Sequence, residues 1–315
     1  MGFEQGSLTS NVELITKLNA FAVGVGWILD KVTADELYLH SLGESGGESL
    51  YFSFKTENHP NVIGDALFEI IGNTGFNGGS AWNNQPGKSI VGGFDNISLA
   101  CLKTTGASRY WFFGDKDIIN IVLDIDGTNY QHIWFGVLER TFTYNGGQAY
   151  GCNFGYYDRF RIFNAADTRT YTNTLNRNPY GGKTLAAMSV YYETVWSPNV
   201  NTEDSPNPNC YATFNFPSTY GPGLVLNSYH DFFNSELTNI GVSTVNGYLP
   251  CEPIYYSTYT LPNRFLIGRC KGLWIAKITG ITPSTELKYF GKFYMVFPFS
   301  KLNQDDVGIL IRKIV

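Results

Sequence analysis

The first periodic pattern along the chain predicts a helix near the N-terminus. Its apolar residues recur at i, i+4, i+7 and i+11, which places them on one helix face: Leu14, Leu18, Phe21 and Val25. Ser10 and Glu13 have the spacing of a capping box, in which each side chain accepts a hydrogen bond from the other residue's backbone N–H. Gly24 and Gly26 favour an end to the helix. The pattern therefore predicts a helix over 11–23 with one apolar stripe.

Short apolar runs after this helix predict strands. Residues 36–40 and 50–54 flank a polar, glycine-bearing stretch, which is typical of a hairpin. This hairpin is the nearest sheet that the apolar stripe of the helix can cover. Residues 72–93 are rich in Gly and Asn, and Phe76 and Trp82 are embedded among them. This segment is too polar for a core element, so we expect a functional or interface loop.

The middle of the chain predicts a three-stranded meander over 111–140. Turns are expected at 114–115 (Gly-Asp) and at 126–127 (Asp-Gly), where both central residues of an Asp-Gly hairpin turn need a positive φ. Nearly every residue of the run 118–123 is apolar. We therefore expect this run to be a central strand that is covered on both faces.

The rest of the chain predicts long loops followed by a compact β-structure. Residues 141–180 are aromatic, glycine-rich and polar, and 197–209 has the composition of a solvent loop. Four apolar runs near the C-terminus are separated by turn residues, which is typical of a small sheet or barrel. These runs are 264–268, 273–278, 288–299 and 307–315.

Together these patterns predict a mainly β protein with a short N-terminal helix, antiparallel meanders and a small C-terminal β-sheet or barrel. We expect three parts. Residues 1–105 would hold the helix, the hairpin and the Gly/Asn loop. Residues 106–245 would hold the central meander with its long loops, and 246–315 the small C-terminal β-domain.

Composition points to contacts between proteins. The chain has 23 Phe, 21 Tyr and 6 Trp, but only 16 % charged residues, and amphipathic rings are typical of protein interfaces. A net charge of −5 without a Lys/Arg cluster argues against nucleic acid or an anionic membrane as primary partner. No apolar run approaches the roughly 20 residues that span a bilayer, and the N-terminus lacks the pattern of a signal peptide. We expect production in a cytosol.

Residues with potential chemistry are scattered. The five cysteines are odd in number and lack a C-x-x-C spacing, which favours buried thiols in a reducing compartment: Cys101, Cys152, Cys210, Cys251 and Cys270. The four histidines lack metal-site spacing. Residues 124–127 begin like a calcium loop but lack its later ligands. No phosphate-binding loop, nucleophile elbow or clear pair of catalytic carboxylates is present. The sequence thus predicts no enzyme activity, no metal and no cofactor.

Four aromatic residues in glycine-rich segments are the candidate interface residues: Phe76, Trp82, Tyr156 and Tyr157. Two interpretations of Trp82 remain open at this point. The ring fills a space beneath a long loop or in a subunit contact, or it stacks on a sugar beside the amides of residues 83–85.

Four segments, taken in order, resemble a family of virion structural proteins of tailed bacteriophages. The N-terminal segment is Gly6-Ser7-Leu8-Thr9-Ser10 with Glu13-Leu14, the helix and Gly26-Trp27-Ile28-Leu29, followed by the strand pair over 37–54. The other three are 110–113 with 118–123, then 130–136, and 291–297. The resemblance spans both ends and the middle of the chain, whereas 146–263 does not match it.

The resemblance implies a structural role without a cofactor or a reaction. The expected position is the tail, baseplate or neck of the virion, assembled in the cytoplasm of the bacterial host. The expected partners are other copies of the chain and other tail, baseplate or neck proteins. The alternative is a receptor- or glycan-binding module of a tail fibre, in which the same aromatic loops would stack on sugar.

Overall fold

A computed structural model describes the chain over fifteen stretches. They are 2–58, 65–86, 98–103, 108–128, 130–140, 150–155, 186–187, 190–192, 195–197, 209–213, 251–259, 266–277, 282–289, 291–298 and 307–313. Within them the protein is mainly β with one α-helix and antiparallel strand pairs, as the sequence predicted. The helix is α1, Asn11–Gly24.

The strands of the N-terminal half are β1 Gly2–Leu8, β2 Ile28–Val32, β3 Glu36–Ser41, β4 Leu50–Asn58, β5 Asp65–Asn73, β6 Ser98–Lys103, β7 Ser108–Gly114, β8 Ile118–Asp124, β9 Tyr130–Gly136 and β10 Leu138–Arg140. Those of the C-terminal half are β11 Tyr150–Gly155, β12 Ala186–Ala187, β13 Val190–Tyr192, β14 Val195–Ser197, β15 Asn209–Thr213, β16 Cys251–Tyr259, β17 Leu266–Lys277, β18 Thr285–Tyr289, β19 Lys292–Pro298 and β20 Val307–Lys313.

The central sheet has the strand order β1-β7-β8-β9-β11-β12. The predicted meander is confirmed as β7, β8 and β9, and every residue of β8 is buried. At the second predicted turn only Gly127 has a positive φ, +85°, so the expectation of a positive φ at Asp126 was wrong. The sequence did not predict β1, which pairs along its whole length with β7.

The N-terminal sheet has the order β2-β3-β4-β5-β6, and the predicted hairpin is its β3–β4 pair. Gly72 and Asn73, which were predicted as loop, belong to β5. The helix packs on one face of this sheet, because Leu14, Leu18 and Phe21 lie in one core with β3, β4 and β5.

Both ends of α1 form from local sequence. The Glu13 N–H donates to Ser10 Oγ over 3.3 Å, as predicted. The reciprocal bond is displaced by one residue, since the Glu13 carboxylate accepts from Thr9 N at 2.8 Å and not from Ser10. At the other end Gly26 has φ +96°, and the N–H of Trp27 donates to the carbonyl of Ala22 at 3.0 Å. This is the Schellman arrangement, in which a glycine takes the left-handed conformation.

The C-terminal sheet has the order β15-β16-β17-β20-β19-β18, with β10 paired to β17. The sequence predicted the region correctly but not all of its strands. The runs 264–268 and 273–278 contribute to a single strand, β17, whereas 288–299 is divided into β18 and β19 by a turn with Gly291 at φ +72°. Strands β15 and β16 were not predicted.

Strands β13 and β14 pair only with each other among the described strands, and the three larger sheets pack as layers with the central sheet in the middle. On one side, Phe135 of β9 contacts Phe52 and Phe54 of β4, with ring centroids 5.0 and 5.2 Å apart. On the other, Trp111 contacts Phe297 of β19 at 5.1 Å. The predicted boundary at 105/106 therefore runs through a shared core, because residues on both sides of it belong to one hydrophobic cluster.

The turn between β7 and β8 joins all three layers. The Trp27 indole N–H donates to the Asp115 carbonyl at 2.8 Å, and the Glu44 N–H donates to Asp117 Oδ1 at 2.7 Å. From the C-terminal sheet, Lys271 Nζ lies 3.0 Å from Asp115 Oδ2 and 2.5 Å from Asp117 Oδ2. A short acidic turn thus fixes the relative positions of the sheets.

Candidate assembly interface

The Gly/Asn loop folds over the face of the N-terminal sheet that the helix does not cover. Its base is closed by Thr74, whose N–H and hydroxyl both donate to the carbonyl of Pro86, at 2.9 and 3.2 Å. The described part of the loop, 74–86, is therefore a defined structure and not an open tether.

Gln85 holds this loop together from inside. Its Oε1 accepts the N–H of Asn77 at 2.8 Å, and its Nε2 lies within hydrogen-bond distance of three carbonyls. The side chain is 3 % exposed. Because its amide is already engaged by the loop's own backbone, Gln85 is not available to bind a sugar.

Trp82 is buried within the chain. The residue is 4 % exposed and packs with Tyr38 and Ile71 of the sheet, while its carbonyl accepts the Ser53 hydroxyl at 2.7 Å. Of the two sequence-based interpretations, the packing agrees with a ring that fills the space beneath a long loop. Neither a ligand nor a second subunit can reach the face of this ring in the described conformation.

Phe76 lies at the margin of the same cluster. It is partly buried and meets Tyr38 edge-on, with ring centroids 5.3 Å apart. Of the two candidate interface residues in this loop, Phe76 and Trp82, Phe76 is thus the one that keeps accessible surface. The other two candidates, Tyr156 and Tyr157, lie outside the described residues.

Sequence reasoning missed a different apolar surface, on strand β2. Ile28, Leu29 and Val32 are 43 %, 37 % and 43 % exposed, which is high for aliphatic residues of a strand. Among the described strands, β2 is the edge of the N-terminal sheet, with β3 as its one neighbour. The available signal was the sequence Ile-Leu-Asp-Lys-Val directly after the helix, a short run with aliphatic residues at both ends.

The charged residues of β2 are already paired within the chain. Asp30 lies 2.9 Å from His40 Nδ1, and that imidazole stacks on Tyr51. The Lys31 ammonium lies 5.3 Å from the centre of the Tyr38 ring. The three apolar residues of the strand are thus its exposed ones, whereas both charged residues are partly buried.

Among the described residues, Glu69 of β5 has a strongly raised pKa, and it lies on the face of the N-terminal sheet that the Gly/Asn loop covers. Burial raises its pKa to about 8, the negative charge of Glu57 adds to this, and Lys55 acts in the opposite direction. The residue is 2 % exposed. A carboxyl that is protonated at neutral pH suits acid catalysis, but this one lies under the surface, where a substrate cannot reach it.

The described histidines and acidic residues do not assemble a metal site. His132 is buried, with Nε2 2.9 Å from the Pro298 carbonyl, and joins the central and C-terminal sheets. His59 and His230 lie outside the described residues. In the described stretches, no three His, Cys, Asp or Glu side chains come together in a way that could hold a metal ion.

No helix in the described part of the chain is long and apolar enough to cross a membrane. A scan against models of protein families found no match to the chain. A search of curated proteins found no significant match either.

Proposed function

We propose that this chain is a non-enzymatic structural component of a tailed-phage virion, positioned in the tail, baseplate or neck. It would assemble in the cytoplasm of the bacterial host, with copies of itself and with neighbouring tail proteins. The proposal rests first on the ordered resemblance of four segments, and second on what the described residues offer for contact.

The observation that carries the proposal is the position of the many aromatic residues of this chain. The described segments of the resemblance supply the residues that lock the layers, among them Trp27, Phe112, Trp134 and Phe297. Interlocked layers of this kind suit a rigid building block. Of the six exposed large apolar residues in the described part of the chain, three lie together on an edge strand, which is a geometry for contact with another chain.

Glycan binding is the alternative function, and the described loop offers it little support. Sugar stacking needs an accessible ring with free amides beside it, whereas Trp82 is buried and Gln85 is bonded within the loop. A glycan site would have to use Phe76 or residues outside the described part of the chain.

Protein analysis of purified particles tests the proposed function. Phage particles from a bacterium that carries this gene would be banded by density, and peptides of this chain would be quantified against a known tail protein. We expect the chain in the particle band at a fixed ratio that matches a ring or trimer. As a control, an abundant host protein should be lost on banding.

Two outcomes would contradict the proposal. If the chain stays in the soluble fraction while tail proteins band with particles, it is not a virion component. If it is in particles, and particles that lack it assemble normally but fail to adsorb to the host, the receptor-binding alternative is correct.

A further inference from the structure

Strand β2 presents an open backbone edge to solvent. Its one strand neighbour is β3, and no described strand pairs with its other side. The unpaired N–H and C=O groups of such an edge are a template for a strand from another chain. Exposed aliphatic side chains along the same strand add apolar area to that contact.

A β-bulge at Asp30 determines how the side chains of β2 are arranged. Leu29 pairs with Leu39 and Lys31 with Tyr38, so Asp30 is the extra residue between them. Asp30 reaches His40 and Lys31 reaches Tyr38, and these two β3 residues lie on the same sheet face. Asp30 and Lys31, although consecutive, therefore share one face.

The other face of β2 is aliphatic. Leu29 and Val32 are opposite Leu39 and Leu37, two residues of the core beneath the helix. Leu29 and Val32 thus extend the apolar face of the sheet to its open edge, where both are exposed. The five-residue strand therefore has Ile28, Asp30 and Lys31 on one face, and the two aliphatic residues Leu29 and Val32 on the other.

This arrangement is self-complementary in one antiparallel register. If the two-fold axis passes between residues 30 and 31, Asp30 faces Lys31 of the second copy on one side of the sheet. On the other side, Leu29 faces Val32 of the second copy. In a regular strand consecutive residues point to opposite faces and could not be paired in this way, so the bulge is what permits the register.

The neighbouring registers are unfavourable. A shift by one residue in either direction brings Asp30 opposite Asp30 or Lys31 opposite Lys31, and like charges directly opposite destabilise a strand pair. Only the register centred between the two residues gives two opposite-charge pairs and two aliphatic pairs. A two-fold axis also closes the contact, so the pairing ends at a dimer.

We propose that two copies of this chain pair through their β2 strands, antiparallel and in this register, so that two five-stranded sheets become one continuous ten-stranded sheet. The inference specifies the self-association that the proposed function requires, but it does not depend on a virion location. In many proteins a lysine or a bulge on an edge strand prevents pairing with another chain. In this proposal Lys31 and the bulge at Asp30 instead determine the register of the pairing.

Charge exchange tests the register. Sedimentation of the full chain over a range of concentrations should show a monomer–dimer equilibrium. Lys31→Glu places a carboxylate opposite Asp30 twice per dimer, and we expect the dissociation constant to rise about tenfold or more. The double variant Asp30→Lys/Lys31→Glu restores opposite charges and should recover much of the affinity.

A pair of matched variants tests the apolar side of the strand. Val32→Lys should weaken the dimer by at least about tenfold, because it removes an aliphatic pair on each side of the axis. Val12→Lys introduces the same change at a residue of similar exposure, 40 %, on the helix, and should leave the equilibrium unchanged. Thermal melting confirms that each variant is folded.

Cysteine pairs locate the contact independently of affinity. In the register described, Leu29→Cys and Val32→Cys in one chain would come face to face across the axis and form interchain disulfides under mild oxidation. Either cysteine alone should form far less, since neither faces itself; the unsubstituted chain controls for its native cysteines. A monomer at every concentration, or a dimer that none of these β2 variants affects, overturns the proposal, and neither result bears on whether the chain is found in virions.

Discussion

Gly136 ends β9 against the turn between β7 and β8, in a space that no larger residue fits. Its φ of +141° is one that L-residues rarely adopt, and an added Cβ would overlap the Asp117 carbonyl oxygen. We expect Gly136→Ala to lower the free energy of unfolding by about 3 kcal/mol or more, measured by urea denaturation. Gly127→Ala has the same sign of φ but open space around it, and should cost only about 1–2 kcal/mol. Equal losses of stability in the two variants would show that the positive φ, and not the overlap with the Asp117 carbonyl, determines the cost.

Glu69 should make the stability of this protein depend on pH. Its pKa in the folded state is about 8, raised from an ordinary value of 4.5 mainly by burial. Between these two values the unfolded chain ionises the carboxyl and the folded chain keeps its proton. The contribution of the protonated Glu69 to the free energy of unfolding is therefore fully present below about pH 4.5. It is lost as pH rises towards 8, by up to about 1.4 kcal/mol per pH unit.

Glu69→Gln replaces the carboxyl with a neutral group of the same shape. We expect the variant to match the wild type near pH 4.5 and to be more stable at pH 8, as measured by urea denaturation at both values. Glu44→Gln, at an exposed residue, should leave the pH dependence unchanged. A wild-type stability that is flat between pH 5 and 8 would show that Glu69 is ionised in the folded protein.

Trp82 should contribute to the stability of the chain and not to glycan binding. Truncation of this buried ring in Trp82→Ala should lower the free energy of unfolding by about 3–5 kcal/mol. Phe76→Ala should cost less, because Phe76 is only partly buried. Chemical denaturation measures both effects. Unchanged stability with loss of retention on a host polysaccharide would restore the sugar-stacking interpretation.

At the scale of elements, helix α1 is stabilised mainly by its contact with the N-terminal sheet. Leu18 is fully buried in the shared core. Leu18→Asp puts an unpaired charge there, and we expect a loss of about 3–5 kcal/mol together with a lower melting temperature. Val12→Asp makes the same kind of change on the exposed face of the first turn, where a carboxylate suits the helix dipole, so its effect should be near zero. Two equal melting temperatures would mean that the helix is not docked.

At the scale of the whole molecule, Lys271 connects the C-terminal sheet to the central one. Burial lowers its pKa, but the hydrogen bonds and charges of Asp117 and Asp115 outweigh this and raise the pKa overall. Lys271→Met would leave two largely buried carboxylates side by side, 11 % and 18 % exposed. We expect the free energy of unfolding to fall by about 1–3 kcal/mol. Relative to the wild type, hydrogen exchange should become faster in β17, and the change in β3 should be smaller.

Lys313→Met is the matched control for Lys271. The side chain of Lys313 is similarly exposed, but it pairs with Glu286, which is 42 % exposed, and its ammonium lies 4.8 Å from the centre of the Phe3 ring. Exposed contacts of these two kinds contribute only about 0–1 kcal/mol each. If the two variants are equally stable, the acidic turn does not hold the layers together.

The sequence alone determined the features that depend on neighbouring residues. The apolar stripe and the Ser10 cap predicted α1 to within one residue, and the polar turn predicted the β3–β4 hairpin. The continuous apolar run predicted that β8 would be central and buried on both faces. In each case the signal and the structure lie within about twenty residues, so local periodicity and turn chemistry suffice.

Tertiary structure alone decided the features that depend on distant partners. β1 carries no apolar alternation, and it is a strand because β7, about a hundred residues away, supplies its hydrogen bonds. Trp82 has the same local sequence whether its ring is exposed or buried, and the sheet beneath the loop decided that it is buried. The exposure of β2 likewise follows from its place at the edge of a sheet. Strand order and edge position are set by long-range pairing, which no local pattern encodes.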